Sequence, residues 1–283
     1  ALGCILENGT RKTASYEELY SQTAAIQSLL KQHISAGDRV AGWLPNIIET
    51  IVAMLATSSL GGLWSSCSPD FGVEGALDRF GQIKPKVLFA CDGYSYAGKT
   101  MDIRGTARAI VEQVDSIKTV VWVPLLDLDA EKKWPAGEHL WSDWLLSTSE
   151  TIAFEQLPFD HPLYILYSSG TTGKPKCIVH GQGGTLLQHK KEHQLHIDLK
   201  ADDNLFFFTT CGWMMWNWLV SALATRCTVI LSDVSPFHPK KEILFDLIDQ
   251  ESITIFGISA KFLGTLQKEL IRPKDTHRLT RLR

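Results

Sequence analysis

Apolar positions along this chain alternate between two spacings. Residues 15–31 carry apolar side chains at 16, 19, 26, 29 and 30, a helical repeat, with Thr13 or Ser15 placed to cap the first turn. Residues 39–44 form a short apolar run that reads as a strand and stops at Pro45-Asn46. Residues 47–60 are apolar almost all round, the pattern of a helix buried on every side, and Gly61-Gly62 ends it. A turn at 68–72, a helix over 73–83, a strand at 86–90, a helix over 103–114 and a strand at 119–123 follow. Residues 127–155 are looser, with one helix expected around 139–146.

After Leu157-Pro-Phe-Asp-His-Pro162 the rhythm resumes. Strands are expected at 163–167, 177–180, 204–209, 227–231 and 253–256, and helices over 184–199, 213–224, 239–250 and 260–270. Strands alternating with helices predict an α/β fold with mostly parallel, helix-covered sheets. The Pro-rich break suggests two successive α/β subdomains, 1–157 and 158–283.

Bulk properties narrow the setting. With 283 residues, 45% hydrophobic and 21% charged, the chain can bury one large core or two smaller ones. A formal charge of -3 and no Lys/Arg-rich block argue against nucleic acid as a partner. Six widely spaced cysteines without a CxxC pair read as reduced thiols, not as a disulfide scaffold. The first residues lack a signal-peptide pattern, and the apolar stretch 213–224 is too short for a membrane span. A cytosolic protein, monomeric or weakly oligomeric, is the expectation.

One segment carries chemistry. Tyr167-Ser-Ser-Gly-Thr-Thr-Gly-Lys-Pro-Lys176 lies between two expected strands. Gly170 and Gly173 let the backbone turn tightly against a ligand, and successive N–H groups can form an anion nest. Ser168, Ser169, Thr171 and Thr172 offer hydroxyl donors, and Lys174 and Lys176 bring positive charge. The loop is not a Walker A motif, because Pro175 follows Lys174 and the next element is a strand.

This string resembles the signature loop of the acyl-adenylate-forming superfamily. The resemblance implies that Ser168, Ser169, Gly170, Thr171, Thr172, Gly173 and Lys176 engage the ATP β- and γ-phosphates. Lys176, not Lys174, would be the family's lysine and the catalytic charge within this chain. Cys177 departs from the glycine most members carry there.

Four further stretches are similar to the superfamily branch that activates acetoacetate: Gly42-Trp-Leu-Pro-Asn46, residues 63–72, Leu77-Asp-Arg-Phe-Gly-Gln-Ile-Lys-Pro-Lys86, and Thr209-Thr-Cys-Gly-Trp-Met-Met-Trp-Asn217. The implied reaction joins acetoacetate and CoA with ATP and Mg²⁺, by way of an acyl-adenylate. Acetyl- or propionyl-CoA synthesis and nucleotide binding without turnover are the alternatives. Gly212, Trp213, Met214 and Trp216 are expected to wall the acyl pocket, with Trp N–H groups as donors to a keto oxygen. Trp216 stands one helical turn from Trp213. A Trp/Met stripe at this spacing also suits a plain core. Lys261, just past a strand end, is placed to face a carboxylate or keto group, or to be a solvated helix-start lysine.

The resemblance also implies that this chain is an internal part of the large N-terminal domain, truncated at both ends. The mobile C-terminal lid domain, with its adenylation lysine and the adenine- and Mg²⁺-contacting residues, would lie beyond residue 283. The chain alone is then expected to have little or no activity. His189, His193 and His196 share a helical face, but Lys190 and Lys191 stand among them and no HExxH occurs. A polar face is expected there, and no metal site. His180 lies near the loop.

Overall fold

The structure is a computed structural model and describes residues 1–127, 135–146, 149, 151–168 and 173–283. A hairpin of β1 (Leu2–Leu6) and β2 (Arg11–Ala14) precedes α1 (Tyr16–Leu30). Ser15 caps α1: its Oγ accepts from the Glu18 N–H at 3.0 Å, and the Glu18 carboxylate accepts from the Ser15 N–H at 2.7 Å. Next come β3 (Arg39–Trp43), α2 (Ile48–Ser59) and β4 (Leu63–Cys67), and then, after a 3₁₀ turn at Pro69–Phe71, α3 (Gly72–Ile83). β5 (Val87–Cys91), the hairpin β6 (Gly93–Tyr96) and β7 (Lys99–Asp102), α4 (Arg104–Gln113), β8 (Thr119–Val123), β9 (Glu138–Leu140) and α5 (Trp141–Leu145) follow.

Beyond the Pro-rich break run β10 (Pro162–Ser168), β11 (Lys176–Gly181) and α6 (Gln182–Lys191), which ends in a π-helical turn at Glu192–His196. Then come β12 (Asn204–Phe207), α7 (Met214–Ser221), β13 (Thr228–Asp233), α8 (Ile243–Gln250), β14 (Ile255–Gly257) and α9 (Ala260–Lys268).

Among the described residues the strands form two large sheets and the β6–β7 hairpin. One sheet has the order β11-β10-β4-β3-β5-β8-β9, the other β14-β12-β13-β1-β2. Within the two large sheets pairing is parallel except at β10–β11 and β1–β2, and the β6–β7 hairpin is antiparallel. The expected α/β class with mostly parallel sheets therefore holds.

The expected division at 157/158 is not where the sheets part. β10 and β11 extend the sheet of the first half, while β1 and β2 extend the sheet of the second. The physical reason is the pairing of β1 with β13, Leu2 to Val229 through Leu6 to Asp233, which closes over most of the chain length. Local periodicity carries no information about so distant a partner.

The sandwich explains the all-round apolar helix. α2 touches β1 of one sheet and β3 and β4 of the other, so it has no wet face. Trp43, Trp64, Trp122 and Trp216 are fully buried in this core. Gly42 is required beside one of them, because a Cβ there would lie 2.5 Å from the Trp64 ring. The Trp64 indole N–H is satisfied by Ser66 Oγ at 3.1 Å.

Candidate active site

The carboxyl ends of β4, β10, β12 and β14 face the same region, the edge at which open α/β sheets hold ligands. Two adjacent serines of β4 tie its neighbours together there, Ser65 within its own sheet and Ser66 toward the other. Ser65 Oγ donates to the Ile165 carbonyl and pairs with the Tyr167 hydroxyl, both at 2.9 Å. Ser66 Oγ donates at 2.7 Å to the Cys211 carbonyl, in the loop between β12 and α7. Asn46 makes a second tie: its Oδ1 accepts from the Trp216 indole N–H at 2.8 Å. Phe71 completes the junction, since a Cβ on Gly212 would lie 3.3 Å from its Cε2.

Of the expected phosphate-binding residues, Ser168 is half-buried at the end of β10 and pairs with Lys176 at the exposed start of β11. Gly173 takes φ +95°, a conformation that favours glycine. Ser169, Gly170, Thr171 and Thr172 lie outside the described residues. Lys174 stands 3.7 Å from Asp78 of α3. Burial pushes the Tyr167 hydroxyl up, so it stays protonated as a neutral partner of Ser65. Burial also raises the Cys177 thiol, which keeps this exposed neighbour of Lys176 from being a thiolate.

The expected acyl wall divides. Trp213, at 58% exposure, and Met214, at 46%, stand at the open edge beside Gly212. Trp216 does not join them: it is fully buried and its N–H is already held by Asn46. The reason is local. Trp213 is the N-cap of α7, with φ -108° and ψ 150°, so helical spacing does not relate it to Trp216. Lys261 is exposed in the first turn of α9, whose cap Ser259 accepts from the Phe262 N–H at 3.3 Å. That turn follows β14, the neighbour of β12, so Lys261 belongs to the same carboxyl edge one strand further out. Sequence reasoning missed Asn46, Ser65, Ser66 and Tyr167 as parts of this junction. The available signal was two serines inside an otherwise apolar run.

The histidine face is structural. His189 Nδ1 pairs with Ser221 Oγ at 2.9 Å; His193 Nε2 meets the Trp218 carbonyl and Ser221 Oγ, both at 3.0 Å. The π-helical turn carries His196 off that face into solvent. Burial pulls His193 down to about 4, so it is neutral at ordinary pH. His180 packs at a tilt against Tyr164, 5.1 Å between centroids. Among the described residues no group of three or more His, Cys, Asp or Glu could hold a metal ion. Asp233, at the end of β13, is pushed up by burial to about 7.

A cavity of about 470 Å³ lies elsewhere, walled by Tyr20, Met54, Phe154, Leu163, Tyr164 and Leu186. It reaches the beginning of β10, not its carboxyl end, so it stands apart from this site. No helix among the described residues is long and apolar enough to cross a membrane.

Comparison with known proteins agrees with this geometry. The profile of the AMP-binding enzyme family matches residues 3–283. An acetoacetyl-coenzyme A synthetase of Rhizobium meliloti (strain 1021) is 49% identical over 271 residues, which are 95% of this chain and 42% of that protein. A malonamoyl-CoA synthetase of Penicillium aethiopicum is 41% identical over 287 residues, covering 95% of this chain and 40% of its own length. The solved structure of the acetoacetyl-CoA synthetase from Streptomyces lividans superposes on all of this chain with a TM-score of 0.94 at 40% identity, and this chain covers 43% of it. The chain thus spans about two fifths of the length of these relatives. With the family match running over nearly every residue, this chain belongs to the AMP-binding enzyme family.

Proposed function

We propose that this chain supplies the phosphate-binding and acyl-binding edge of an enzyme that converts acetoacetate, ATP and CoA to acetoacetyl-CoA, AMP and pyrophosphate. One observation carries the reading. Ser65 and Ser66 of β4 tie Tyr167, at the head of the phosphate loop, to Cys211, at the head of the Gly212–Trp213–Met214 rim. A loop suited to polyphosphate and a rim suited to a small acyl group therefore meet at one edge, in a member of this family.

In the first half-reaction a carboxylate oxygen of the acid attacks the ATP α-phosphorus. The P–O bond to pyrophosphate breaks and an acyl-adenylate forms. In the second, the CoA thiolate attacks the acyl carbonyl and AMP leaves. Within this chain the work is positioning and charge stabilisation. Residues 168–173 would cradle the β- and γ-phosphates, and Lys176 would offset their charge. Mg²⁺ would accompany ATP and offset its phosphate charge; among the described residues no group of three or more His, Cys, Asp or Glu could hold it. The free Trp213 indole would donate to the acid's distal carbonyl, and Lys261 would line the outer edge. No side chain acts as a covalent nucleophile. A cytosolic monomer or weak oligomer fits the reading, which the six free thiols support.

The relatives sharpen the acid. Acetoacetate and malonamate both carry a second carbonyl two carbons from the carboxylate, whereas acetate and propionate do not. Acid-dependent ATP–pyrophosphate exchange, run with these four acids on the enzyme containing these residues, tests this. Exchange should be about 10-fold faster with the two 3-carbonyl acids, the discrimination a single hydrogen bond provides. Equal rates with acetate would remove the assigned substrate.

A further inference from the structure

The stretch Leu77-Asp-Arg-Phe-Gly-Gln-Ile-Lys-Pro-Lys86 has no part in the chemistry above, yet its helix, α3, lies against both strands that flank residues 169–172. On the incoming side the Arg79 guanidinium sits 5.5 Å from the Tyr167 ring centroid and 4.2 Å from that of Phe71. Its Nη1 donates to the Gly75 carbonyl at 2.7 Å, which fixes the side chain on its own helix. On the outgoing side Gln82 Nε2 donates to the Pro175 carbonyl at 2.9 Å, and the Cys177 thiol donates to Gln82 Oε1 at 3.7 Å. Asp78 faces Lys174 at 3.7 Å. Asp78 and Arg79 stand four and three positions before Gln82, so each neighbours Gln82 on the helix surface. β10 and β11 pair Tyr167 with Cys177 and Ser168 with Lys176.

We propose that α3 is the element that positions Lys176, with Arg79 and Gln82 as its positioning residues. Lys176 stands at the exposed start of β11, in the terminal pair of that strand with Ser168 of β10. Gln82 holds the chain at Pro175 and Cys177, on either side of the lysine. Arg79 holds the opposite strand by stacking on Tyr167, and a guanidinium between two rings is worth keeping for its geometry as well as its charge. Arg79 also orders Phe71, which adjoins Gly212, so it acts on the acyl rim as well. This assignment rests on the reading of Lys176 as the lysine that meets the ATP phosphates.

Two readouts test it on Gln82→Leu, Arg79→Met and Arg79→Lys. In steady-state assays Gln82→Leu should raise the KM for ATP about 10-fold and leave the KM for the acid unchanged, as expected for a displaced phosphate contact. Arg79→Met should raise both KM values, and Arg79→Lys, which restores a cation but not the planar guanidinium, should recover only part of the loss. In ligand-free protein, trypsin cleavage after Lys176 should be about 10-fold faster in Gln82→Leu, because local opening sets the rate. Gln82 is exposed, so this variant carries the test even if Arg79→Met does not fold. Unchanged ATP KM together with unchanged cleavage overturns the proposal. A wild-type enzyme with no ATP-dependent turnover would defeat the functional reading instead, while the cleavage rates still decide whether α3 holds Lys176.

Discussion

Trp213 and Trp216 are three residues apart and live in different worlds. Trp216 is fully buried between the sheets, its N–H held by Asn46, and Trp213 is 58% exposed at the rim. The difference comes from one residue of backbone: α7 begins at Met214, so Trp213 is extended and Trp216 is helical. The same contrast runs through the molecule. Inside, α2 and the buried residues 216–220 of α7 are packed, and His193 Nε2 is held by Trp218 and Ser221; at the carboxyl edge, Lys176, Trp213, Met214 and Lys261 are open. Stability is built into the first set, and the proposed ligand chemistry falls to the second.

That division can be broken by substitution. Trp216→Ala should destabilise the fold by about 3–5 kcal/mol, the cost of emptying a large buried aromatic site, as read by denaturant unfolding. Trp213→Ala should stay within about 0.5 kcal/mol of wild type in the same experiment, yet raise the KM for the acid. Equal losses of stability would erase the contrast.

A pH titration sharpens it. His193 lies near 4 in the folded protein against an ordinary value near 6.5, because burial opposes its charge. Its folded value is the lower one, so the unfolded chain takes the proton first. Stability should be full above about 6.5 and fall as pH drops toward 4. His193→Gln should flatten that decline. A variant as acid-sensitive as wild type would assign the effect to other groups, His189 first among them, since burial lowers it too.

The sequence made the helices legible wherever spacing and caps agreed. Thr13 and Ser15 stood as the candidate caps of α1, of which Ser15 is the cap, and an all-apolar α2 pointed to burial on every side. β4 was not legible, because Ser65 and Ser66 interrupt its apolar run and their partners, Tyr167 and Cys211, are far away in sequence. The β6–β7 hairpin hid in a Tyr/Ser/Gly pattern that turns at Ala97 and Gly98, both with positive φ. Sheet membership was hidden for the same reason as β4: the pairing of β1 with β13 is a tertiary choice, invisible to any local window. The phosphate loop was readable as a string, whereas its support by α3 needed three dimensions.

The central claim is that Lys176 meets the ATP phosphates. Equilibrium titration of the enzyme containing these residues with ATP, wild type against Lys176→Ala, tests it most directly. Loss of a charge-assisted contact should weaken binding about 10- to 100-fold, while thermal stability stays unchanged because Lys176 is exposed. Equal ATP affinity in the two proteins would contradict the account.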